Sequence, residues 1–366
     1  MDKRVLISAD SHVVEPPEVF AGLADRFGEE RAPAIVNSED QGPRVYLGSG
    51  RFGNSVGAML SAGMVGDPEL REKLKKGYEI RPGSCDPHQH VIDMDTDGLT
   101  AEVLFPSLLF GMFGQQDHEV AQATFARYND WLADFCSAAP SRLFPVACTQ
   151  VDDVDSAIEL MEAGKKRGHV GLCIPYVPEV PYSDARYDKL WASAQDLEFP
   201  ITFHAGCRGG GPTDPAFGRR SNSTWYTLIS TGMAVTISEL ILSRVCERFP
   251  RLMFVPTEFE TGWLAHFLQK TDWITHRGGS KLPMKPSDYW RRNFRCTFED
   301  DELGIRTRDI IGTETMMWAN DYPHGDAIWP NSQEVLDRVL ADCGPQECEA
   351  MLASNAVELY HLPALN

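Results

Sequence analysis

The chain has 366 residues, of which 43% are hydrophobic, so it can bury a large core. It contains 53 acidic and 34 basic residues, a formal charge of -19 at pH 7, which argues against nucleic acid or an anionic membrane as a partner. Its nine cysteines are odd in number and never spaced as Cys-x-x-Cys, which argues against a disulfide framework or a thiolate zinc site and favours a reducing cytoplasm.

Short apolar runs alternate with amphipathic helical stretches from residue 100 onward, a pattern typical of a parallel sheet with crossover helices. A helix is predicted over residues 118–139, where Pro140 ends the apolar periodicity. Eight units of this size predict an α/β fold, a single (β/α)8 TIM barrel over residues 1–366. The predicted strands cover residues 5–9, 101–106, 143–150, 170–174, 200–204, 252–257, 294–298 and 316–319.

Two segments interrupt this alternation and are interpreted as insertions after strands one and five. Residues 20–90 are rich in glycine, proline and charge, and residues 207–223 contain three consecutive glycines. Loops that follow barrel strands lie at the C-terminal face, so the first insertion is expected to form a lid over the active site and the second to lie over the same face. A disordered surface excursion is the alternative for residues 20–90.

The N-terminus leads directly into a strand-like run, and no segment is expected to approach ~20 uncharged apolar residues. We therefore expect a cytoplasmic protein with no membrane partner.

Four polar residues stand at predicted strand ends. Asp10 and His12 close strand one and, two positions apart, share a face. His204 ends strand five, and Asp321 follows strand eight. Two imidazoles and two carboxylates suit Zn²⁺ or Mn²⁺ and leave a position open for water or substrate. Taken singly, each histidine has a hydrogen-bonded structural role as its alternative, and each aspartate a helix cap.

Five motifs occur in order along nearly the whole chain: Ser8-Ala9-Asp10-Ser11-His12-Val13-Val14-Glu15-Pro16, Phe203-His204-Ala205-Gly206, Arg248-Phe249-Pro250-Arg251-Leu252, Trp318-Ala319-Asn320-Asp321-Tyr322-Pro323-His324 and Ser354-Asn355-Ala356. Together they resemble the amidohydrolase-related branch of the amidohydrolase superfamily, which includes aminocarboxymuconate semialdehyde decarboxylase, γ-resorcylate decarboxylase and 5-carboxyvanillate decarboxylase. The resemblance implies that Asp10, His12, His204 and Asp321 are metal ligands, and it favours a homodimer.

The sequence departs from this family pattern at two positions. The usual His-x-His motif reads Asp10-x-His12, which leaves the metal open, with Zn²⁺ preferred and Mn²⁺ as the alternative. Glu258 stands where many members carry a histidine used in acid/base work, so it is a candidate general acid/base. Its alternative is a carboxylate that hydrogen-bonds His204 or a substrate hydroxyl. Residues 170–174 contain no lysine to bridge two metals, which favours a single ion.

Further residues are candidates for substrate contacts. His324 is expected to orient a substrate or a metal-bound water, with a structural role as its alternative. Glu15 either joins the metal's ligands or, as we favour, caps the segment before Pro16-Pro17. An arginine fork suits a substrate carboxylate, and five arginines compete for that role: Arg51, Arg81, Arg208, Arg219 and Arg220.

Three functions remain open at this point. The leading hypothesis is a hydrolase of a small carboxylated, aromatic or cyclic substrate, in which a metal-activated water attacks and Asp321 or Glu258 accepts the proton. The alternative is non-oxidative decarboxylation of a hydroxylated aromatic or muconate-type acid. The absence of the usual strand-six histidine tilts the balance toward hydrolysis. The third hypothesis is a non-catalytic barrel that only captures a ligand.

Overall fold

The computed structural model describes residues 4–209, 222–278 and 281–363. Most of the predicted second insertion, with Arg219 and Arg220, lies outside the described residues. The strands are β1 (Ile7–His12), β2 (Ala34–Ser38), β3 (Gly42–Gly48), β4 (Arg51–Ser55), β5 (Ala101–Phe105), β6 (Leu143–Cys148), β7 (Gly171–Ile174), β8 (Ile201–His204), β9 (Phe254–Thr257), β10 (Cys296–Phe298) and β11 (Met316–Trp318).

The α-helices are α1 (Leu23–Phe27), α2 (Leu70–Leu74), α3 (Pro87–Asp97), α4 (His118–Cys136), α5 (Val154–Lys166), α6 (Asp188–Asp196), α7 (Asn222–Leu242), α8 (Val245–Arg248), α9 (Leu264–His276), α10 (Pro286–Asn293), α11 (Glu302–Arg306), α12 (Arg308–Ile311), α13 (Ser332–Val339), α14 (Pro345–Glu349) and α15 (Asn355–Tyr360). Short 3-10 helices include Leu108–Met112, and Ala350–Ser354 forms a π-helical turn.

The protein is a mixed α/β fold around a curled parallel sheet. Six strands form a continuous ladder in the order β1-β5-β6-β7-β8-β9, and β10 pairs with β11, every pair being parallel. A single bridge between Phe254 and Phe294 links β9 to the chain entering β10. Each predicted strand corresponds to an observed one, and the apolar runs explain why, since strands buried on both faces read as continuous hydrophobic segments.

Strand β1 differs from its prediction. It begins at Ile7 and continues to His12, whereas the apolar run predicted an end at residue 9. All six residues are buried, including the polar ones, and the Ser8 and Ser11 hydroxyls and His12 Nδ1 find hydrogen-bond partners inside the protein. The register with β5 shifts between Ser8 and Ser11. Asp10 and His12 thus lie within the strand.

Helix α4 confirms the predicted helix that begins at residue 118. Asp117 caps its first turn by accepting a hydrogen bond from the Val120 amide at 3.4 Å. The helix ends at Cys136, three residues before the predicted end. Val120, Phe125 and Leu132 form its buried face.

Residues 20–90 carry regular structure, unlike the disordered alternative. Strands β2, β3 and β4 form an antiparallel sheet. This sheet is anchored to the segment after β5, where the side-chain amide of Gln115 donates a hydrogen bond to the Leu47 carbonyl at 2.7 Å.

Helix α7 contains an apolar stretch that inspection of the sequence overlooked. Residues Ser223–Leu242 have a mean hydropathy of 1.3, enough in length and composition to cross a membrane, and 33% of the stretch is buried. A core helix of a soluble protein passes the same test, so one such helix is weak evidence. In this structure Thr236 donates to the Tyr176 carbonyl at 2.5 Å, and Glu239 accepts from Ser183 at 2.6 Å, so α7 packs on the segment after β7.

Candidate metal centre

The four predicted ligands lie at the C-terminal ends of the strands in two groups that share His12: Asp10, His12 and His204 form one, and His12, Asp321 and His324 form the other. His204 Nε2 lies 3.0 Å from Asp10 Oδ1, and His12 Nε2 lies 3.0 Å from Asp321 Oδ1 and 3.4 Å from Asp10 Oδ1. All four side chains are fully buried. Strand ends distant in sequence thus converge as the parallel arrangement predicts.

Both candidate ligand histidines have their tautomer set by a backbone carbonyl. His12 Nδ1 lies 2.7 Å from the Pro106 oxygen, and His204 Nδ1 lies 2.7 Å from the Ala205 oxygen. A carbonyl only accepts hydrogen bonds, so each Nδ1 carries the proton. In the neutral rings, each Nε2 then directs a lone pair at a carboxylate. This arrangement is repulsive unless a metal cation or a proton lies between the groups.

Several buried polar atoms at this point lack a hydrogen-bond partner among the described residues: Asp10 Oδ2, His12 Nε2, Asp321 Oδ1 and Asp321 Oδ2. A buried polar atom left without a partner costs about 1–3 kcal/mol, so a cluster of them indicates an absent ligand. Mixed imidazole and carboxylate donors suit Zn²⁺ or Mn²⁺. The residues present therefore fit the predicted divalent ion.

His324 extends the cluster toward a serine that the sequence reading missed. Its Nδ1 lies 3.0 Å from Asp321 Oδ1, and its Nε2 lies 2.9 Å from Ser107 Oγ. The His324 ring stacks on His12 with centroids 3.9 Å apart. Ser107 directly follows Phe105-Pro106 at the end of β5, so inspection of every strand end for polar residues, rather than of histidine and acidic residues alone, finds it.

Glu258 follows β9 and lies beside His204, a candidate ligand. Its Oε2 lies 3.3 Å from His204 Nδ1, and its side chain is 12% exposed. This contact matches the alternative of a carboxylate next to His204, and the residual exposure leaves a route for a proton. Burial, reinforced by the neighbouring carboxylates of Asp321 and Asp326, raises the pKa of Glu258 well above its ordinary value.

The pKa values of the two candidate ligand aspartates are shifted in opposite directions. Burial raises the pKa of Asp321 to about 7, although nearby His324 opposes the shift. Burial also acts to raise the pKa of Asp10, but attraction to the His204 and His12 rings in their protonated form, in which Nε2 donates to the carboxylate, outweighs it and holds that pKa below its ordinary value. Asp10 thus remains ionised, whereas Asp321 can carry a proton near neutral pH.

The backbone is strained where these carboxylates leave the strands. Three residues have φ angles in the left-handed region: Glu258 at 63°, Glu260 at 52° and Asp321 at 55°. For residues with a side chain, this conformation costs roughly 1–2 kcal/mol each. The strain lies at the site itself, beyond β9 and β11.

Two further acidic residues lie at the mouth of the site and were not predicted. Asp326 joins Glu258 and Asp321 in a group whose ligand atoms lie within 4.8 Å of one another. Burial and the charge of Asp321 raise the pKa of Glu299 well above its ordinary value. Asp326 lies in a loop that no strand-end pattern marks, whereas Glu299 directly follows β10, so inspection of that strand end would have found it.

Glu15 is a cap, but of a different segment from the one predicted. Its carboxylate accepts hydrogen bonds from the amides of Ser107, Leu108 and Leu109 at 3.1, 2.8 and 3.3 Å. It thus caps the 3-10 helix Leu108–Met112 rather than the chain before Pro16. Only the fold brings these amides, more than 90 residues away, to Glu15.

Two candidate arginine clamps make structural contacts instead. Arg51 donates to the carbonyls of Gly111 and Gly114 at 3.2 and 3.4 Å. Arg81 donates to the Ala62 carbonyl at 2.7 Å, and its guanidinium lies 4.1 Å from the Trp329 ring centroid.

Aromatic rings form one wall of the centre. The Phe110 ring lies 4.8 Å from that of His204 and 5.7 Å from that of His12. Phe105 lies 4.9 Å from His204. An apolar wall beside the candidate ligand histidines can face a flat substrate.

A curled parallel α/β sheet with histidines and aspartates gathered at its strand ends places this protein among the amidohydrolase-type enzymes. The family model described as Amidohydrolase matches residues 85–362, and the chain therefore belongs to this family. No curated protein sequence matches the chain.

Solved structures share the fold along almost the full length. An amidohydrolase from Mycobacterium avium subsp. paratuberculosis is 17% identical with a TM-score of 0.79, covering 98% of this chain and 100% of its own. A 5-carboxyvanillate decarboxylase from Sphingomonas paucimobilis is 21% identical, with a TM-score of 0.64 and coverage of 98% and 99%. A dihydroxybenzoic acid decarboxylase from Polaromonas sp. JS666, with bound manganese and the inhibitor 2-nitroresorcinol, is 17% identical, with a TM-score of 0.67 and coverage of 98% and 97%.

Proposed function

We propose that the protein is a divalent-metal-dependent, non-oxidative decarboxylase of a hydroxylated aromatic acid. The observation that carries this proposal is the pair of histidines, His12 and His204, whose Nε2 atoms face buried carboxylates. The similarity in fold to two decarboxylases of aromatic acids supports decarboxylation over the hydrolysis that the sequence favoured. A divalent ion bound there would act as a Lewis acid on substrate carboxylate and phenolate oxygens.

The proposed ligands are Asp10, His12, His204 and Asp321, holding one ion. The sequence favours Zn²⁺, whereas manganese in the Polaromonas decarboxylase supports Mn²⁺.

The proposed architecture is a closed (β/α)8 TIM barrel, with residues 20–90 as a lid inserted after β1. Closure is supported by hydrogen bonds from the Asp321 amide to the Asp10 carbonyl and from the His12 amide to the Tyr322 carbonyl, at 3.1 and 2.6 Å. The lid is supported by the contacts of Arg51 and Gln115, which tie β2–β4 to the segment carrying Phe110.

In the proposed reaction the bond between the ring carbon and the carboxylate breaks, CO₂ leaves and the ring carbon takes up a proton. Asp321, whose Oδ1 lies 3.0 Å from His324 Nδ1, is placed to pass that proton from His324 to the ring carbon. His324 contacts both Asp321 and Ser107 and is 6% exposed, so it can restore the proton from the solvent side. Glu258, beside His204, is the second candidate acid.

We also propose that the protein is a cytoplasmic homodimer that binds a small-molecule substrate. All nine cysteines, each among the described residues, are free thiols, which suits a reducing compartment.

The test is to incubate metal-loaded protein with hydroxylated benzoates in D₂O and to measure CO₂ and ring deuteration. We expect stoichiometric CO₂ and one deuteron at the vacated carbon, with both abolished in Asp321→Asn. Full activity in Asp321→Asn would contradict the proposed site. Turnover of lactones or amides with ¹⁸O uptake from water, and no CO₂ from any acid, would instead establish hydrolysis.

Hydrolysis is the second candidate function, favoured by the match to the Amidohydrolase family model. Glu258 then serves as the base that takes a proton from water, and the aromatic wall faces the acyl or ring portion of the substrate.

A further inference from the structure

The first and last strands of the parallel sheet meet without a β-ladder among the described residues, and the candidate ligands stand on both sides of this seam. Asp10 and His12 belong to β1, whereas Asp321 follows β11. Two backbone hydrogen bonds cross the seam: Asp321 N to Asp10 O and His12 N to Tyr322 O. The geometry of the centre therefore depends on how firmly these segments are held together.

A buried side-chain network adds the contacts that a ladder would have supplied. Asn320 Oδ1 accepts hydrogen bonds from Ser11 Oγ at 3.0 Å and from the Tyr322 amide at 3.2 Å. The Asn320 amide donates to Ser8 Oγ at 3.1 Å, and Ser11 Oγ also contacts Ser8 Oγ at 2.9 Å. Asn320 thus joins β1 to the chain immediately before Asp321.

Asp97, the last residue of α3, holds the other side of Asn320. Its Oδ2 accepts from Asn320 Nδ2 at 3.2 Å and from Ser332 Oγ at 2.5 Å, and its Oδ1 accepts from the Ser332 amide at 2.9 Å. Asp97 is 3% exposed, and these three donors are all uncharged. Burying a carboxylate among neutral donors costs free energy, whereas apolar packing would join two segments without that penalty. The network therefore suits an orienting role better than a purely stabilising one.

The residue that this network can orient is Asp321, which directly follows Asn320. Asp321 has a φ angle of 55°. Its two carboxylate oxygens are buried and have no hydrogen-bond partner in the described part of the chain. The direction of the Asp321 side chain is set by the backbone at residues 320–322. Asn320 holds this backbone through two hydrogen bonds: its own backbone amide donates to Ser8 Oγ, and its side-chain oxygen accepts from the Tyr322 backbone amide. A left-handed residue persists only when its surroundings hold it there.

We propose that Asp97 and Asn320 are positioning residues that keep Asp321 in register with Asp10 and His12, so that metal affinity depends on them although neither is a ligand. The inference rests on the proposed metal site but not on the reaction catalysed there. Partners that orient ligands in other metal sites change affinity by roughly 10–100-fold when removed.

The test measures Mn²⁺ and Zn²⁺ dissociation constants by chelator competition without substrate, together with thermal unfolding of the metal-free protein. We expect Asn320→Ala to raise the dissociation constant by roughly 10–100-fold. The matched control is Asn355→Ala, because Asn355 is a buried asparagine that donates to the Thr313 and Met316 carbonyls near the start of β11. It should destabilise the metal-free protein and leave metal affinity unchanged.

A charge swap separates positioning from general loosening. Asp97→Asn and Asn320→Asp should each weaken metal binding, and the double variant, which restores an amide–carboxylate pair, should recover part of the loss. If Asn320→Ala does not fold, Ser332→Ala, which removes one donor to Asp97, should give a smaller loss in the same direction.

The inference is overturned if folded Asn320→Ala binds metal as the wild type does, if Asn355→Ala weakens binding equally, or if the swap recovers nothing. A wild-type protein that binds no divalent metal would instead contradict the proposed function.

Discussion

Ser107 Oγ lies 2.9 Å from His324 Nε2, and this contact determines which nitrogen of His324 carries a proton. The Ser107 hydroxyl donates to the Val13 carbonyl at 2.7 Å, so it accepts from His324 Nε2–H. In a neutral ring, His324 Nδ1 then presents its lone pair to Asp321 Oδ1, 3.0 Å away. A shared proton between His324 and Asp321 resolves this contact, and it lies where the proposed decarboxylation requires an acid.

Ser107→Ala should lower turnover about tenfold, the equivalent of one hydrogen bond, because His324 can then carry its proton on either nitrogen. Metal content should not change, since Ser107 is not a ligand. Steady-state kinetics with metal analysis checks this. Ser137→Ala is the control, because that exposed serine donates only within the last turn of α4. Wild-type turnover in Ser107→Ala would show that the serine has no part in setting the tautomer.

Glu258→Gln should lower kcat by about 10²–10⁴-fold if this carboxyl transfers a proton in the reaction, while metal content stays at the wild-type level. Glu260→Gln is the matched control: it lies two residues further on, is also left-handed, and contacts the Glu299 amide rather than a ligand histidine. Loss of metal from Glu258→Gln with little change in turnover per bound ion would assign Glu258 to holding His204.

Metal affinity should rise with pH. Burial raises the pKa of Asp321 to about 7, and this carboxyl must lose its proton to bind a cation. Protons therefore compete below pH 7 and cease to compete above it. Chelator competition from pH 5.5 to 8.5 should show a dissociation constant that falls by up to about tenfold per pH unit below 7 and then levels off. Asp321→Asn should flatten this dependence, and an equally steep curve in that variant would assign the proton to another group.

Asp321→Asn should have opposite effects on stability with and without metal. At pH 8 without metal, the Asp321 carboxylate is buried close to those of Asp326 and Asp10, so its neutral amide replacement should stabilise the protein by about 1–3 kcal/mol. With metal at 100 times the wild-type dissociation constant, ligation contributes about 2.7 kcal/mol that the variant largely loses. Thermal unfolding with and without chelator checks both signs. The same ranking in both conditions would mean that Asp321 does not bind the metal.

Much of the site could be predicted from sequence because its parts lie at the ends of recognisable strands. Eight apolar runs mark the parallel strands, and Asp10, His12, His204 and Asp321 stand at the ends of three of them. Parallel strands present their C-terminal ends at one face, so the convergence of these four follows without knowledge of loop paths. Glu258 was identified differently, from the family resemblance, because it stands where many members carry a histidine.

Loops and side-chain partners could not be predicted because no local periodicity records them. Glu15 caps a segment more than 90 residues away, and Arg51 and Arg81, which suit a substrate carboxylate by residue type, are occupied by backbone carbonyls.

The chain order of apolar and polar residues by itself determined the parallel strands and the types of donor atom at their ends, since burial and strand periodicity act over a few neighbouring residues. The tertiary structure decided which ring nitrogen of His12, His204 and His324 carries the proton, through hydrogen bonds to Pro106 O, Ala205 O and Ser107 Oγ. It also decided the orientation of the Asp321 side chain, through the hydrogen bond of Asn320 to Asp97, a residue far away in the sequence. Hydrogen-bond direction depends on atoms brought within about 3 Å by folding, and sequence spacing carries no measure of that distance.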